Sequence, residues 1–314
     1  MNTLRNFHVG EAQLQVESGV DSEAFDAMVS MAFRPELSDP EVRFVNGRTF
    51  VVAATVDEQG RPWASPLFGP AGNLLSVVDR RTVHIRPHAG TGDPLIDNIV
   101  ATGELGVLYF DPSLRRRAKS LGRGQLDEDG TLIYQMHRNY GLCNKYIFKR
   151  THEPAAVVSD QQCDAESSTA EELTVEDRSQ LLATDTAFLA SFHSDHGADA
   201  THRGGPAGFI TVIDDSTISL PDYMGNGMFQ TLGNLLLDER VALMTVDFTT
   251  GRGLHLTGRG QITASEDDTF SERTLTIAID EVRTSYQDPG TWTDIEAFEL
   301  RPGLINPATP YLDR

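Results

Sequence analysis

Two patterns of apolar residues run along this chain, a stripe at every three to four positions and short β-branched runs. Phe25, Met28, Val29 and Ala32 follow a capping Asp21 at helical spacing, which predicts a helix with one buried face over Asp21 to Phe33. Asp39-Pro40-Glu41 predicts a second, short helix, with a capping acid, a proline at the first helical position and a carboxylate in the first turn. The pattern then changes to short β-branched runs. The β-branched run Phe50 to Val56, the turn Asp57 to Gly60 and the stretch Arg61 to Phe68 predict a hairpin. Thr82 to Arg86 predicts another strand, Asp93-Pro94 opens a helix reaching Val100, and Leu105 to Phe110, Ala118 to Leu126 and Thr131 to His137 predict three more strands. Six strands with one helix among them suit a small, largely antiparallel barrel better than a doubly wound sheet.

The same pattern comes twice. Residues 153 to 179 carry Asp160, Asp164, Glu166, Glu171, Glu172, Glu176 and Asp177 with few apolar anchors, the composition of a linker that ends in a Thr174 cap and a short helix through Leu182. Beyond it, Ala53 matches Ala190 and Gly60 matches Gly197, 137 residues apart, which sets Ser65 against His202. Gly69-Pro70-Ala71-Gly72 then matches Gly205-Pro206-Ala207-Gly208, Asn98 matches Asn234, Asp111 matches Asp247, and Gly122-Arg123-Gly124-Gln125 matches Gly258-Arg259-Gly260-Gln261, all 136 apart. The expected architecture is mainly β, two tandem β-barrels with short helices. Residues 1–152 form the first with its leading helices, 153–179 the acidic linker, and 180–314 the second with a tail after Tyr286 rich in Pro, Asp and Thr.

Charge narrows the partners. Lys and Arg number 26 against 46 Asp and Glu, a formal charge of -20, which argues against nucleic acid and anionic membranes. No run of eighteen apolar residues and no signal-peptide core is present, so a soluble cytoplasmic protein is expected. Cys143 and Cys163 offer neither a disulfide framework nor paired metal spacing, and no metal is expected. His193-Ser194-Asp195-His196 reads as a solvated turn, Arg115-Arg116-Arg117 as a charged hairpin tip, His84 and His255 as satisfied strand histidines, and Cys143 as a thiol without a visible base.

One stretch stands out against the negative field. His202 and Arg203 sit beside Gly204-Gly205 at a predicted strand end, and Pro221-Asp222-Tyr223 leads to the Gly/Asn loop Asn226 to Thr231 and a helix. An open helix start near a guanidinium suits an anion. The first copy has Ser65, Asp93 and Pro94 there instead, where a carboxylate fills the helix start and proline removes a donor, so one anion site per chain is expected.

The run Asn234 to Val241, the strand ends Asp247-Phe248 and Leu256-Thr257-Gly258, and the stretches Gly92 to Leu95 and Asn144 to Ile147 resemble the pyridoxamine 5'-phosphate oxidase-like, FMN-binding split barrels, over about Phe50 to Tyr286. The resemblance implies two tandem split β-barrels and bound FMN. His202, Arg203, Asn226, Met228, Gln230 and Thr231 would meet the phosphate, while Pro221, Asp222 and Tyr223 would lie near the isoalloxazine edge. The opposite wall would come from the first barrel or from a homodimer, with Trp63, Tyr140, Lys145 and Tyr146 as candidates. The basic phosphate loop of the oxidases is replaced by Met228-Phe229-Gln230-Thr231, which leaves phosphate binding to backbone N–H groups and Arg203. The implied activity is an FMN-dependent oxidoreductase acting on a small molecule, with NAD(P)H or a reductase as electron donor, and no residue is singled out as acid or base. Two alternatives stand beside it: a haem- or flavin-binding carrier without turnover, with His84, His193 or His255 on a haem, and a deazaflavin-dependent reductase.

Overall fold

A computed structural model describes residues 6–87, 90–155, 167–265 and 271–296. The helices α1 (Val9–Glu17), α2 (Ser22–Val29) and α3 (Asp39–Asn46) lead into β1 (Phe50–Val56), β2 (Pro62–Phe68), β3 (Leu75–Val77), β4 (Thr82–Ile85), α4 (Leu95–Thr102), β5 (Glu104–Asp111), β6 (Arg116–Leu126) and β7 (Leu132–Gly141). The short β8 (Lys149–Glu153), β9 (Thr169–Ala170) and α5 (Val175–Ala183) follow. The second run is β10 (Thr186–His193), β11 (Gly197–Gly204), β12 (Thr211–Asp214), β13 (Thr217–Tyr223), α6 (Gln230–Leu235), β14 (Arg240–Val246), β15 (Arg252–Ala264), β16 (Ser271–Tyr286) and β17 (Thr291–Glu296).

Two antiparallel sheets result, with one strand order. The first runs β2-β1-β5-β6-β7-β4-β3 and the second β11-β10-β14-β15-β16-β13-β12, with β9 added on β16. Each path is open at its ends, so each sheet is split and curled around a core. Alternation along β1 shows how: Val51 and Ala53 point into the first core with Leu67, Val107 and Tyr134, while Phe50, Val52 and Ala54 point the other way. That other face meets Phe188, Ala190, Ala198, Ala200 and Met244 of the second sheet, giving a buried apolar seam. The second core repeats the first, with Ala187 and Leu189 inward beside Leu243 and Ile277.

The repeat holds, and its register is simpler than the glycines suggest. Asn98 Nδ2 donates to Thr55 Oγ1 and Asn234 Nδ2 to Ser191 Oγ, each at 2.9 Å, so β1 and β10 are 136 residues apart like the rest. Val107 pairs with Ala53 and Leu243 with Leu189, which agrees. Ser65 therefore corresponds to Thr201, not His202. Gly60 and Gly197 misled because each supplies a left-handed residue to its hairpin turn, φ 79° and 87°, at neighbouring rather than equivalent positions.

Other boundaries shift for local reasons. The cap of α3 is Ser38, whose side chain shares a capping box with Glu41, and Asp39 lies inside the helix. Thr174 caps α5 through Asp177 in the same way. The expected tail contains β17, which pairs with β8 and brings Trp292 against Phe50, Phe68 and Phe248. The linker residues 156–166, Cys163 among them, and the tail 297–314 lie outside the described residues.

Candidate functional site

The strand β11 divides its side chains between two environments. Ala198, Ala200 and His202 face the seam, and the His202 ring stacks on Phe110 with centroids 4.9 Å apart. Arg203, on the opposite face, places Nη1 2.6 Å from Asp222 Oδ1 on β13. Beyond β13, the Asn226 side chain accepts from Met228 N at 3.2 Å, Gly227 takes φ 76°, and Phe229 takes φ 54° as the residue before α6. This tight turn swings Gln230 and Thr231 back beneath β11.

From the other side the first sheet contributes β6. Arg117 and Lys119 are two apart on one face, both buried. The Arg117 fork is fully engaged: Nε donates to Cys143 O at 2.7 Å, Nη2 to Cys143 Sγ at 3.2 Å, and Nη1 lies 2.7 Å from His202 Nδ1. Lys119 pairs with Asp199, whose other oxygen accepts from Thr231 Oγ1 at 3.0 Å. Tyr140 donates to Gln230 Oε1. Tyr146 stacks on Tyr223 at 5.3 Å, with its hydroxyl on Met224 O at 2.8 Å.

These groups surround one pocket of about 830 Å³, open mouth included. All nine residues expected from the sequence line it: His202, Arg203, Pro221, Asp222, Tyr223, Asn226, Met228, Gln230 and Thr231. Two of them differ in character from the expectation. His202 is not a cation, because burial and then the Arg117 and Arg203 charges hold its pKa well below the usual histidine range. With Nδ1 accepting from Arg117, its proton sits on Nε2. Arg203 is already half-neutralised by Asp222. Of the four wall candidates, Tyr146 lines the pocket and Tyr140 reaches Gln230. Lys145 does not line it, and Trp63 is buried elsewhere with Nε1 on Asp57 Oδ2 at 3.0 Å.

The sequence reading missed Arg117, Lys119 and Cys143. The first was absorbed into a charged hairpin tip, yet only Arg116 of the pair Arg116-Arg117 is exposed. A cation at positions i and i+2 of a strand marks one face, and that spacing was the available signal.

The equivalent place in the other half is built differently. Arg117 and Lys119 correspond to Gly253 and His255, and His255 spends both nitrogens, on Ala64 O and Ser285 Oγ, each at 2.7 Å. Such a histidine has no lone pair left for haem iron. Asp93 Oδ1 accepts from Ser65 Oγ at 2.6 Å and from Leu95 N at 2.8 Å, closing the start of α4 with a buried carboxylate.

The tip of the turn His193 to His196, Ser194 and Asp195, is exposed, while His193 and His196 pack on His8 at the start of α1. His8 stacks on His193 at 4.3 Å and contacts Asn234 Oδ1 through Nε2 at 2.8 Å. Ligand atoms of His8, Glu11 and His196 lie within 4.8 Å of one another, but Arg138 Nη1 stands 3.5 Å from His196 Nδ1. Burial holds His8 at about 4 and His196 at about 3, and pushes Glu11 up to about 8. This is a neutral network that fastens α1 to α6.

The fold and pocket together define a mainly β chain with two like antiparallel split sheets and a mixed-charge pocket at their seam. No family model and no curated protein matches the sequence. Solved structures of pyridoxamine 5'-phosphate oxidase-like proteins are similar to it over a little more than a third of its length. A putative pyridoxamine 5'-phosphate oxidase from Lactobacillus delbrueckii is 19% identical over 36% of this chain and 94% of its own, with a TM-score of 0.30. A Clostridium acetobutylicum protein related to general stress protein 26, of the pyridoxinephosphate oxidase family, is 11% identical over 38% and 93%, TM-score 0.28. The haem storage protein HutZ from Vibrio cholerae is 8% identical over 36% and 94%, TM-score 0.26.

Proposed function

We propose that the seam pocket holds FMN non-covalently and that the chain is an FMN-dependent oxidoreductase acting on a small molecule. One observation carries this reading. His202 Nε2, Arg203 Nε and Gln230 Nε2 are buried, have no hydrogen-bond partner among the described residues, and belong to side chains lining the same pocket. All three are donors. Each such group costs about 1–3 kcal/mol while unmatched, and a phosphate supplies several acceptor oxygens at once. Arg117 adds a buried guanidinium with no carboxylate within 4.0 Å among the described residues.

In this reading Arg203 and Gln230 bind the phosphate, Asp222 orients Arg203, and the Tyr146–Tyr223 stack offers an aromatic wall beside Pro221. Met228, Leu232 and Phe209 exclude water from the floor. FMN, when bound, supplies hydride or electron transfer, with NAD(P)H or a reductase on the donor side. Each half then works as one barrel unit, the first supplying the wall and the second the phosphate site.

Riboflavin, which lacks the phosphate, provides the test. FMN added to the purified protein should lose its fluorescence on binding, and riboflavin should bind about a hundredfold more weakly, the equivalent of two charge-assisted hydrogen bonds at roughly 1.5 kcal/mol each. Equal affinity for the two, or no flavin binding with a Soret band in the purified protein, defeats the proposal.

A further inference from the structure

Arg117 is 8% exposed and meets no carboxylate among the described residues, so its charge must be balanced by something other than Asp or Glu. The atom placed to do so is Cys143 Sγ, 3.2 Å from Nη2, with Nε of the same fork on the Cys143 carbonyl at 2.7 Å. The backbone N–H of Lys145 also points at the sulfur. Cys143 is half-buried and lines the pocket, so a small molecule in the pocket reaches it. That the pocket is built for a ligand follows separately from Gln230 and His202, 6% and 4% exposed, whose Nε2 atoms line it without partners among the described residues.

We propose that Cys143 is a nucleophilic thiolate paired with Arg117, and that the pocket is a site of covalent modification by small carbon electrophiles. The surrounding charges favour this assignment. The pocket carries Arg117 and Lys119 from β6, His202 and Arg203 from β11, Asp222 and Tyr223 from β13, and Tyr146 from the loop of Cys143 itself, with Lys145 beside them. Lys119 is taken up by Asp199, Arg203 by Asp222, and His202 is neutral, which leaves Arg117, with Lys145 beside it, as the cations that act on the sulfur without a carboxylate among the described residues. Burial raises the Cys143 pKa, but Arg117 and the Lys145 N–H outweigh it and bring the thiol below its ordinary value. With an alkyl iodide the sulfur lone pair forms the S–C bond while the C–I pair leaves as iodide, so no oxidant or further reactant is needed. The assignment stands on Arg117 and is independent of which cofactor fills the pocket.

Carbamidomethylation by iodoacetamide tests it, in full-length Cys163→Ser protein, with the rate at Cys143 followed by mass spectrometry of its peptide. An ordinary thiol reacts about 25-fold faster at pH 9 than at pH 7, from its thiolate fractions at a pKa near 8.5. Native Cys143 should change by less than fivefold over that range, and the same chain in urea should recover the ordinary ratio. Arg117→Gln should restore a steep profile; if that variant does not fold, the native and urea profiles still decide. A native profile as steep as the urea profile, or a Cys143 that reacts only in urea, overturns the proposal. Added FMN should slow the native reaction by tenfold or more. If FMN leaves the rate unchanged while the profile stays flat, the thiolate assignment survives and the flavin reading does not.

Discussion

Arg203 and Asp222 form a pair whose two members can be removed separately, and the consequences differ in sign. Arg203→Ala takes away both the charge and an unmatched donor, so FMN affinity should drop about tenfold to a hundredfold. Asp222→Asn keeps the guanidinium and frees it from its carboxylate 2.6 Å away, so affinity should hold or rise. A parallel fall in both variants, measured by fluorescence titration, means the pair is structural only. At the same scale, Glu11 governs a pH dependence. Its folded pKa of about 8 lies above the ordinary 4.5, so the native state keeps a proton that the unfolded chain releases. That stability is fully present below pH 4.5 and is lost as pH rises through 8. His8 and His196, lowered to about 4 and 3 from 6.5, act the other way but only below pH 6.5. Denaturant stability should therefore fall by about 2 kcal/mol between pH 6.5 and 8, at 1.36 kcal/mol per unit, and Glu11→Gln should flatten the slope. Individual residues were unevenly legible. Arg203 and the loop after Asn226 announce themselves by composition, but His202 has its charge removed by burial, and burial is set by a partner strand that no local pattern reveals.

Among the elements, α1 shows why periodicity failed at the N-terminus. Its apolar residues Val9 and Val16 are exposed, and its buried face is Gly10, Glu11, Leu14 and Gln15. A helix that buries polar groups and a glycine has no apolar stripe to read. The glycine is there because α1 crosses α6 at backbone contact. A Cβ on Gly10 would collide with the Gly233 carbonyl, and one on Gly233 would come within 2.6 Å of Glu11 N. The central strands were legible as continuous β-branched and apolar runs, being buried on both faces, while β3, β8 and β17 were missed for being short or rich in Thr and charged residues. Gly233→Ala should push α1 off α6 at a cost of about 1–3 kcal/mol, seen as a lowered Tm. Since α6 carries Gln230 and Thr231, FMN binding should weaken with it; a Tm unchanged by this substitution contradicts the close crossing.

At the scale of the whole molecule, two copies with one strand order present two equivalent places at the seam, and the side chains make them unequal. Where β6 meets β11 it brings Arg117 and Lys119; where β15 meets β2 it brings Gly253 and His255. The latter place also holds Asp93, buried, capping α4 and bonded to Ser65, with its pKa raised by burial. A phosphate there would meet a helix start already filled by a carboxylate. The repeat thus conserves the scaffold, down to the Asn98–Thr55 and Asn234–Ser191 pairs, and spends its differences on one site. Flavin stoichiometry follows from this asymmetry. Titration with FMN should saturate at one equivalent per chain. Asp93→Ala should lower the Tm, through the loss of a helix cap worth about 1 kcal/mol, yet leave one equivalent bound with its affinity unchanged. Two equivalents in the unaltered protein would mean that the closed place binds as well, and that a carboxylate at the start of α4 is no barrier to the ligand.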